Sequence, residues 1–455
     1  MPGENFNGNR AISRDEFAAG LNTCLISIGR LIENSNNKFT PKEDWLVIER
    51  LKAEFATELQ NITTKIDNLE QRETFLKEHQ FSPTTVLRGK VDFYLMSAFG
   101  DKKAVSPGSQ SRKKVENNPT LSGQTILNFD TSFTGKDRLR TQLIAGNVNN
   151  VGLGVTGTEM TLLSGPINTG NNIKLGTLFY EFPLGKHGII AIAPIADFPT
   201  RIFPAFNPVN SISNFGAESA IYDFAFGSGG IIYYNFTDKL AGGISYLTSS
   251  GSDVKEGLFH GQYTVLSQVS YSPSEKLGIA FTYGHYYAPE PGLTINVTGS
   301  KGSIFAQLPF GASTATSSNA FGLQFTYKLS PKLILGGWVT YFNAKAEASP
   351  SVSGFNGVRG SQADIWSWAL TAFLADLGKS GSQLSFVFGM PPKVMRNDVF
   401  ARQDRDTSLH LELSYRYPMT DRIFIIPGFL VITNPEHNAA NTPVWIGLIR
   451  TSFSF

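Results

Sequence analysis

After Phe81-Ser82-Pro83 the apolar residues recur at every second position, and nothing else in the chain restricts its fold as much. Leu87, Gly89, Val91, Phe93 and Leu95 alternate with Arg88, Lys90, Asp92 and Tyr94. Leu127, Phe129, Thr131 and Phe133 alternate with Asn128, Asp130 and Ser132; Leu139, Thr141, Leu143 and Ala145 alternate with Arg138, Arg140 and Gln142. A period of two places each set on its own face of a strand. Charge therefore falls at mid-strand on one face, with an apolar face behind it. A soluble sandwich turns the apolar face inward, whereas a membrane barrel turns it to lipid and keeps a wet interior. The longest apolar run, Ile423–Ile432, is bounded by Arg422 and broken by Pro427 and Gly428. It is too short for the roughly 20 residues of a membrane-spanning helix, so strands are the remaining way across.

The spacing of turns favours the barrel. Short polar turns fall at Thr134–Asp137, Leu184–His187, Thr237–Lys239, Pro273–Lys276, Ser330–Lys332, Gly378–Gly381 and Pro418–Asp421. Each has the Gly, Pro or Asp chemistry of a tight reversal. Between these hairpins lie long stretches rich in Gly, Ser, Pro and Asn at about 100–123, 147–172, 196–222, 248–260, 288–318, 346–362, 391–407 and 435–442. Short turns at one end and long loops at the other are the asymmetry of outer-membrane barrels. Seven hairpins, with one strand before (about 86–98) and one after (443–455), make sixteen strands. The expected fold is an all-β transmembrane barrel of 16 antiparallel strands, wide enough for an aqueous channel. The roughly 22 strands of a plugged, energy-coupled receptor do not fit the available length.

Residues 1–85 differ in kind: they hold 23 of the 76 charged residues and 4 of the 44 Gly. Ser13-Arg14-Asp15-Glu16 is a capping box flanked by Ile12 and Phe17 as a hydrophobic staple, and Thr40-Pro41-Lys42-Glu43 is a second capping box with Pro at N1. Ile48, Phe55, Ile62, Leu69 and Leu76 then recur every seven residues, with Leu51, Leu59 and Ile66 beside them. That period predicts a coiled-coil helix over 39–80, as against an amphipathic helix lying on its own domain. The chain thus divides into an N-terminal α-helical and coiled-coil extension and a barrel over 86–455.

Composition removes several functions. The 39 basic and 37 acidic residues leave a net charge of +2, which does not suggest a nucleic-acid binder. The lone Cys24 permits neither an internal disulfide nor a cysteine-cluster metal site. The six His lack metal-type spacing, and His285 among Tyr283, Tyr286 and Tyr287 reads as part of an interfacial aromatic belt. Gly152, Gly154 and Gly157 match G-x-G-x-x-G, but without a convincing helix after them they read as a flexible outer loop. No catalytic constellation, cofactor or metal site is expected. Arg88, Lys90, Asp92, Asp130, Arg138 and Arg140 are expected to face the lumen by alternation. With 29 basic and 24 acidic residues, the barrel is expected to prefer anions weakly.

Gly8-Asn9-Arg10-Ala11-Ile12-Ser13-Arg14-Asp15-Glu16-Phe17-Ala18-Ala19-Gly20-Leu21-Asn22 resembles the second half of the S-layer homology (SLH) domain of cyanobacterial outer-membrane porins. The helix, heptads and an OprB-like, carbohydrate-selective barrel follow in that family's order. The resemblance implies a passive outer-membrane porin, also associated with iron uptake, conducting sugars or inorganic ions. It further implies a homotrimer with a periplasmic N-terminal region holding a peptidoglycan-linked polysaccharide. Over 1–38 the SLH segment is truncated: its usual aromatic-Pro-Asp-Gly loop is reduced to Pro2-Gly3-Glu4-Asn5-Phe6. Ser13-Arg14-Asp15-Glu16 is similar to the Thr-Arg-Ala-Glu signature, so Arg14 inherits the pairing with an acidic wall polymer. By analogy with the third loop of general porins, 196–222, with Asp197 and Arg201, is expected to fold into the pore. Trp445, Gly447, Ile449, Thr451, Phe453 and Phe455 alternate to the last residue, and Phe453 and Phe455 resemble the signal read by the barrel-assembly machinery. Residues 1–25 carry Glu4, Arg10, Arg14, Asp15 and Glu16 and no apolar h-region, so Met1 reads as a truncated or miscalled start. The alternative reading is a structural tether between outer membrane and peptidoglycan with little conductance.

Overall fold

The computed structural model describes residues 84–455 except 111–112, 197–198, 224–225 and 350–357. In the first 83 residues it describes positions 20, 23, 27, 50, 53, 54, 56, 60 and 64–71, all helical. Two compact units result, Met1–Pro83 and Thr84–Phe455. In the first, Ile66 and Leu69 of the expected heptad stripe are exposed, Leu69 by 63%. Most of the expected coiled coil, and the SLH-like segment with Arg14, lie outside the described residues.

The second unit is a closed antiparallel barrel of sixteen strands in sequence order. They are β1 (Thr85–Phe99), β2 (Thr120–Thr131), β3 (Arg138–Gly146), β4 (Lys174–Leu184), β5 (Gly188–Ala196), β6 (Gly227–Asn235), β7 (Leu240–Thr248) and β8 (Tyr263–Ser274). There follow β9 (Leu277–Ala288), β10 (Thr316–Lys328), β11 (Leu333–Ala346), β12 (Gln362–Ala375), β13 (Gln383–Asn397), β14 (Leu409–Pro418), β15 (Ile423–Thr433) and β16 (Val444–Ser454). Each expected hairpin turn joins the expected pair of strands, and the long loops alternate with them. Closure is made by β1 and β16, in register from Lys90 opposite Ser454 to Phe99 opposite Trp445. A closed barrel leaves no unpaired edge, which is the condition for placing β-structure in lipid.

The last residue takes part in that closure. Gly89 and Phe455 exchange backbone hydrogen bonds of 2.8 and 3.0 Å. The Phe455 ring lies over Gly89 so closely that a Cβ there would fall 2.2 Å from it. Phe453 packs edge-on to Phe93, with centroids 5.4 Å apart.

Exposed Phe93, Leu95, Ile244, Phe281, Leu370 and Ile449 mark the outer, apolar face. Aromatic girdles flank it, as expected where amphipathic rings meet the headgroup layer. On the turn side Tyr180 packs on Phe133 and Phe182, and Tyr234 on His187 and Phe236. On the loop side Tyr263 packs on Tyr246, His285 and Tyr287, which places His285 in the belt as expected. Turn chemistry is local. Asp137 Oδ1 accepts from the Thr134 and Phe133 amides and the Ser132 and Thr134 hydroxyls, while Oδ2 accepts from the Tyr180 hydroxyl. The Thr134 hydroxyl above all, then its amide, holds this carboxyl far below the usual range.

Candidate pore and its loops

The third long loop, 197–226, enters the barrel rather than capping it. Its apolar side chains rest where strands carry glycine on the inner wall. A Cβ at Gly243 of β7 would lie 2.7 Å from the Phe203 ring, and one at Gly278 of β9 2.1 Å from Phe206. At Gly336 of β11 it would meet Pro208 at 2.4 Å, and at Gly428 of β15 it would meet Ile212 at 2.7 Å. These glycines form a groove that only a bare backbone provides. Phe206, at φ 51°, is held in a conformation that side chains seldom adopt.

Polar contacts fix the same loop. Glu412 of β14 accepts from the Ile212 amide at 2.8 Å, the Ser213 amide at 3.2 Å and the Ser211 hydroxyl at 2.9 Å. Phe215 packs between Trp338 of β11 and His410 of β14. The Ser219 hydroxyl meets Thr340 at 2.6 Å, and the Tyr222 hydroxyl donates to Gln268 of β8 at 2.8 Å. The loop therefore lies along β7 to β15. Gln268, Thr282, Gln324 and Thr340 on that inner wall are buried beneath it.

Four further loops join over the mouth. Lys301 of loop 289–315 pairs with Asp223 of the third loop at 2.6 Å, and burial holds the Asp223 carboxyl well above the usual range. Ser303 donates to Asp404 of loop 398–408 at 2.7 Å, and the neighbouring Ile304 amide donates to Glu436 of loop 434–443 at 2.8 Å. Glu436 also accepts from Thr158 of loop 147–173 at 2.6 Å. Burial pushes Asp404 up to about 8 and Glu436 up to about 7. His437 accepts from the Ser408 amide at its Nδ1 while its Nε2 faces the Pro392 carbonyl, and burial pulls it down to about 3.

The inner wall with solvent access lies along β1 to β4. Arg140 makes a two-pronged pair with Asp130, both distances 2.7 Å, and Arg88 stands 3.7 Å from the same carboxylate. Arg138 pairs with Glu181 at 2.7 Å, and both Arg138 and Arg140 lie over the Phe179 ring. Lys90 pairs with Asp92 at 2.9 Å, and Asp92 also accepts from Gln124 and Ser452. The Arg88 and Lys90 side chains are 66% and 41% exposed. Arg201 is exposed in the third loop, and Asp197 lies outside the described residues. No group of three or more His, Cys, Asp or Glu among the described residues is arranged to hold a metal.

Residues 42–455 match the model of the carbohydrate-selective porin, OprB family. The chain belongs to the OprB family. OprB-type porins are non-catalytic channels of the outer membrane, and the closed barrel places this one there as an integral protein. An uncharacterized protein of Synechocystis sp. is 34% identical over 98% of this chain and 82% of its own length. One of Nostoc sp. is 30% identical over all of this chain and 80% of its own. The Pseudomonas putida OprB structure superposes with a TM-score of 0.54 at 10% identity, covering 85% of this chain and 97% of that one. OmpT of Vibrio cholerae gives 0.51 at 9%, covering 83% and 99%. These two likenesses concern the fold.

Alternation alone did not single out Arg416, Arg450 and Glu412 of this OprB barrel. Glu412 nonetheless alternates with Leu411 and Leu413, and Arg450 with Ile449 and Thr451, so the same signal was present. The Gly152–Gly157 segment is a packed turn and not a flexible loop. One helical turn, Leu153–Thr156, ends at Gly157, where a Cβ would lie 2.4 Å from the Ala104 carbonyl.

Proposed function

We propose that this protein is a passive diffusion channel for small hydrophilic solutes, with sugars and inorganic ions as the permeant classes. The observation that carries this reading is the charged, solvent-accessible wall of β1 to β4 left open opposite the third loop. On this reading Arg88, Lys90, Asp92, Asp130, Arg138 and Arg140 line the route, with Arg201 and Asp197 on its loop side. The mechanism is sieving by width with bias from fixed charge. Arg140 and Asp130 matter for the field they set rather than for stability, since partly solvated pairs are worth only about 1 kcal/mol or less. Liposome swelling with a size series of neutral sugars tests the reading. Entry of the small members and exclusion of the larger supports it; no swelling with any member opposes it.

The N-terminal unit is proposed to be a periplasmic, coiled-coil stalk of a homotrimer that holds peptidoglycan-linked polysaccharide through Arg14. Exposure of Ile66 and Leu69 on the described helix favours a partner strand. The second reading, a tether with little conductance, draws on the bonds that tie five loops together at the mouth.

A further inference from the structure

Beneath the second and third long loops, the inner wall of β1, β2, β14, β15 and β16 encloses a cavity of about 310 Å³. Lys90, Arg416 and Arg450 line it together with Tyr94, Ser211 and Ser452, and no carboxylate does. Lys90 is matched by Asp92, as Arg140 is by Asp130 and Arg138 by Glu181 elsewhere on the wall. Arg416 and Arg450 have no acidic partner among the described residues. Arg450 is 7% exposed, and its Nε is buried without an acceptor. Arg416 lies over Phe424, its Cζ 3.4 Å from the ring centroid. Both guanidiniums line the one cavity. Asp92 bonds to Lys90, Gln124 and Ser452, and Glu412 to the third loop, so neither forms an ion pair with these arginines.

An enclosed site with two unmatched guanidiniums lacks a negative charge, and a planar N–H fork fits the oxygens of an oxyanion. We propose that this cavity binds small oxyanions, phosphate and phosphate-bearing small solutes, as a saturable station on the permeation route. A neutral sugar would bring no charge to match Arg416 and Arg450. The proposal rests on the channel reading for its place on the route, though not for the binding itself.

Planar-bilayer recording in KCl with inorganic phosphate added to one side tests both. The expected result is a saturable fall in chloride current, with glucose at the same concentration causing none. R416Q and R450Q should each raise the half-blocking phosphate concentration at least tenfold. R450K should lie between, and K379Q in an outer turn should leave it unchanged. Phosphate that leaves the wild-type current untouched, or that blocks both glutamine variants at the wild-type concentration, overturns the site while the channel stands. If R450Q fails to fold, judged by loss of its heat-modifiable mobility, R416Q carries the comparison. A silent wild-type barrel would overturn the channel reading, and calorimetric titration of the detergent-solubilised barrel with phosphate then decides. Heat that is lost in R416Q supports the site, and no heat overturns it.

Discussion

Glu412→Ala removes the one side chain that gathers the centre of the third loop. Its carboxylate accepts from the Ile212 and Ser213 amides and the Ser211 hydroxyl, all at sites closed to water. Ser211 has a substitute acceptor in the Ser213 carbonyl at 2.9 Å and the Ser213 amide has one in the Ser211 hydroxyl at 3.0 Å, so the Ile212 amide bears the loss. Each buried N–H left without an acceptor costs about 1–3 kcal/mol, and bonds to a charged group are the stronger kind. The expected weakening of local docking is therefore about 1–3 kcal/mol for alanine. Glutamine keeps one acceptor oxygen and should cost about half as much. The strand ladder is untouched, so the barrel should still form while residues 209–217 come loose. At about 1.4 kcal/mol per tenfold, amide exchange at Ile212 should quicken by about ten- to a hundredfold in the alanine variant. Open-channel current noise should rise with it. Exchange at the Ile212 amide within twofold of wild type would refute the anchoring role of Glu412.

Three other outcomes are expected. Gly278→Leu puts a side chain where the Phe206 ring sits, 2.1 Å from the Cβ position, so thermal stability should fall by about 1–3 kcal/mol; Phe206→Ala in the same chain should restore most of it. Asp130→Asn leaves Arg88 and Arg140 without their carboxylate, so the reversal potential in a KCl gradient should move toward chloride; an unmoved potential counts against a lumenal role. Asp404 and Glu436 hold their protons to about pH 8 and 7 in the docked loops but lose them near pH 4 when the loops open, so docking weakens as pH rises through that interval. His437, kept neutral down to about 3, acts oppositely and only below about pH 6.5. Between about pH 6.5 and 8 the carboxyls act alone and should loosen the loops by about 2 kcal/mol. Exchange at the Ile304 and Val394 amides, corrected for its intrinsic pH dependence, measures this, and D404N with E436Q should flatten it.

Strand number, closure and hairpin positions were legible because lipid imposes the rule locally: outward positions of β1 and β16 must be apolar, and Asp137 builds its turn from neighbours within five residues. The inward path of the third loop was expected from its place in the order, yet its bed was not. Gly243, Gly278, Gly336 and Gly428 looked like part of a turn-rich composition, and only the folded barrel brings them under Phe203, Phe206, Pro208 and Ile212. Glu412 and Ser211 meet across 201 positions, a separation at which no local pattern operates. The loop tie of Thr158, Ile304 and Glu436 is hidden for the same reason. Gly157 was misread because a left-handed glycine pressed on Ala104 has the same letter as a flexible one.

Single-channel recording of the purified protein in planar bilayers bears most directly on whether this barrel conducts. Discrete, ohmic steps with slight anion preference are expected, carried along the β1 to β4 wall and narrowed by Asp130→Arg. A correctly folded, heat-modifiable barrel that inserts and stays silent in every salt would contradict the channel and leave the tether.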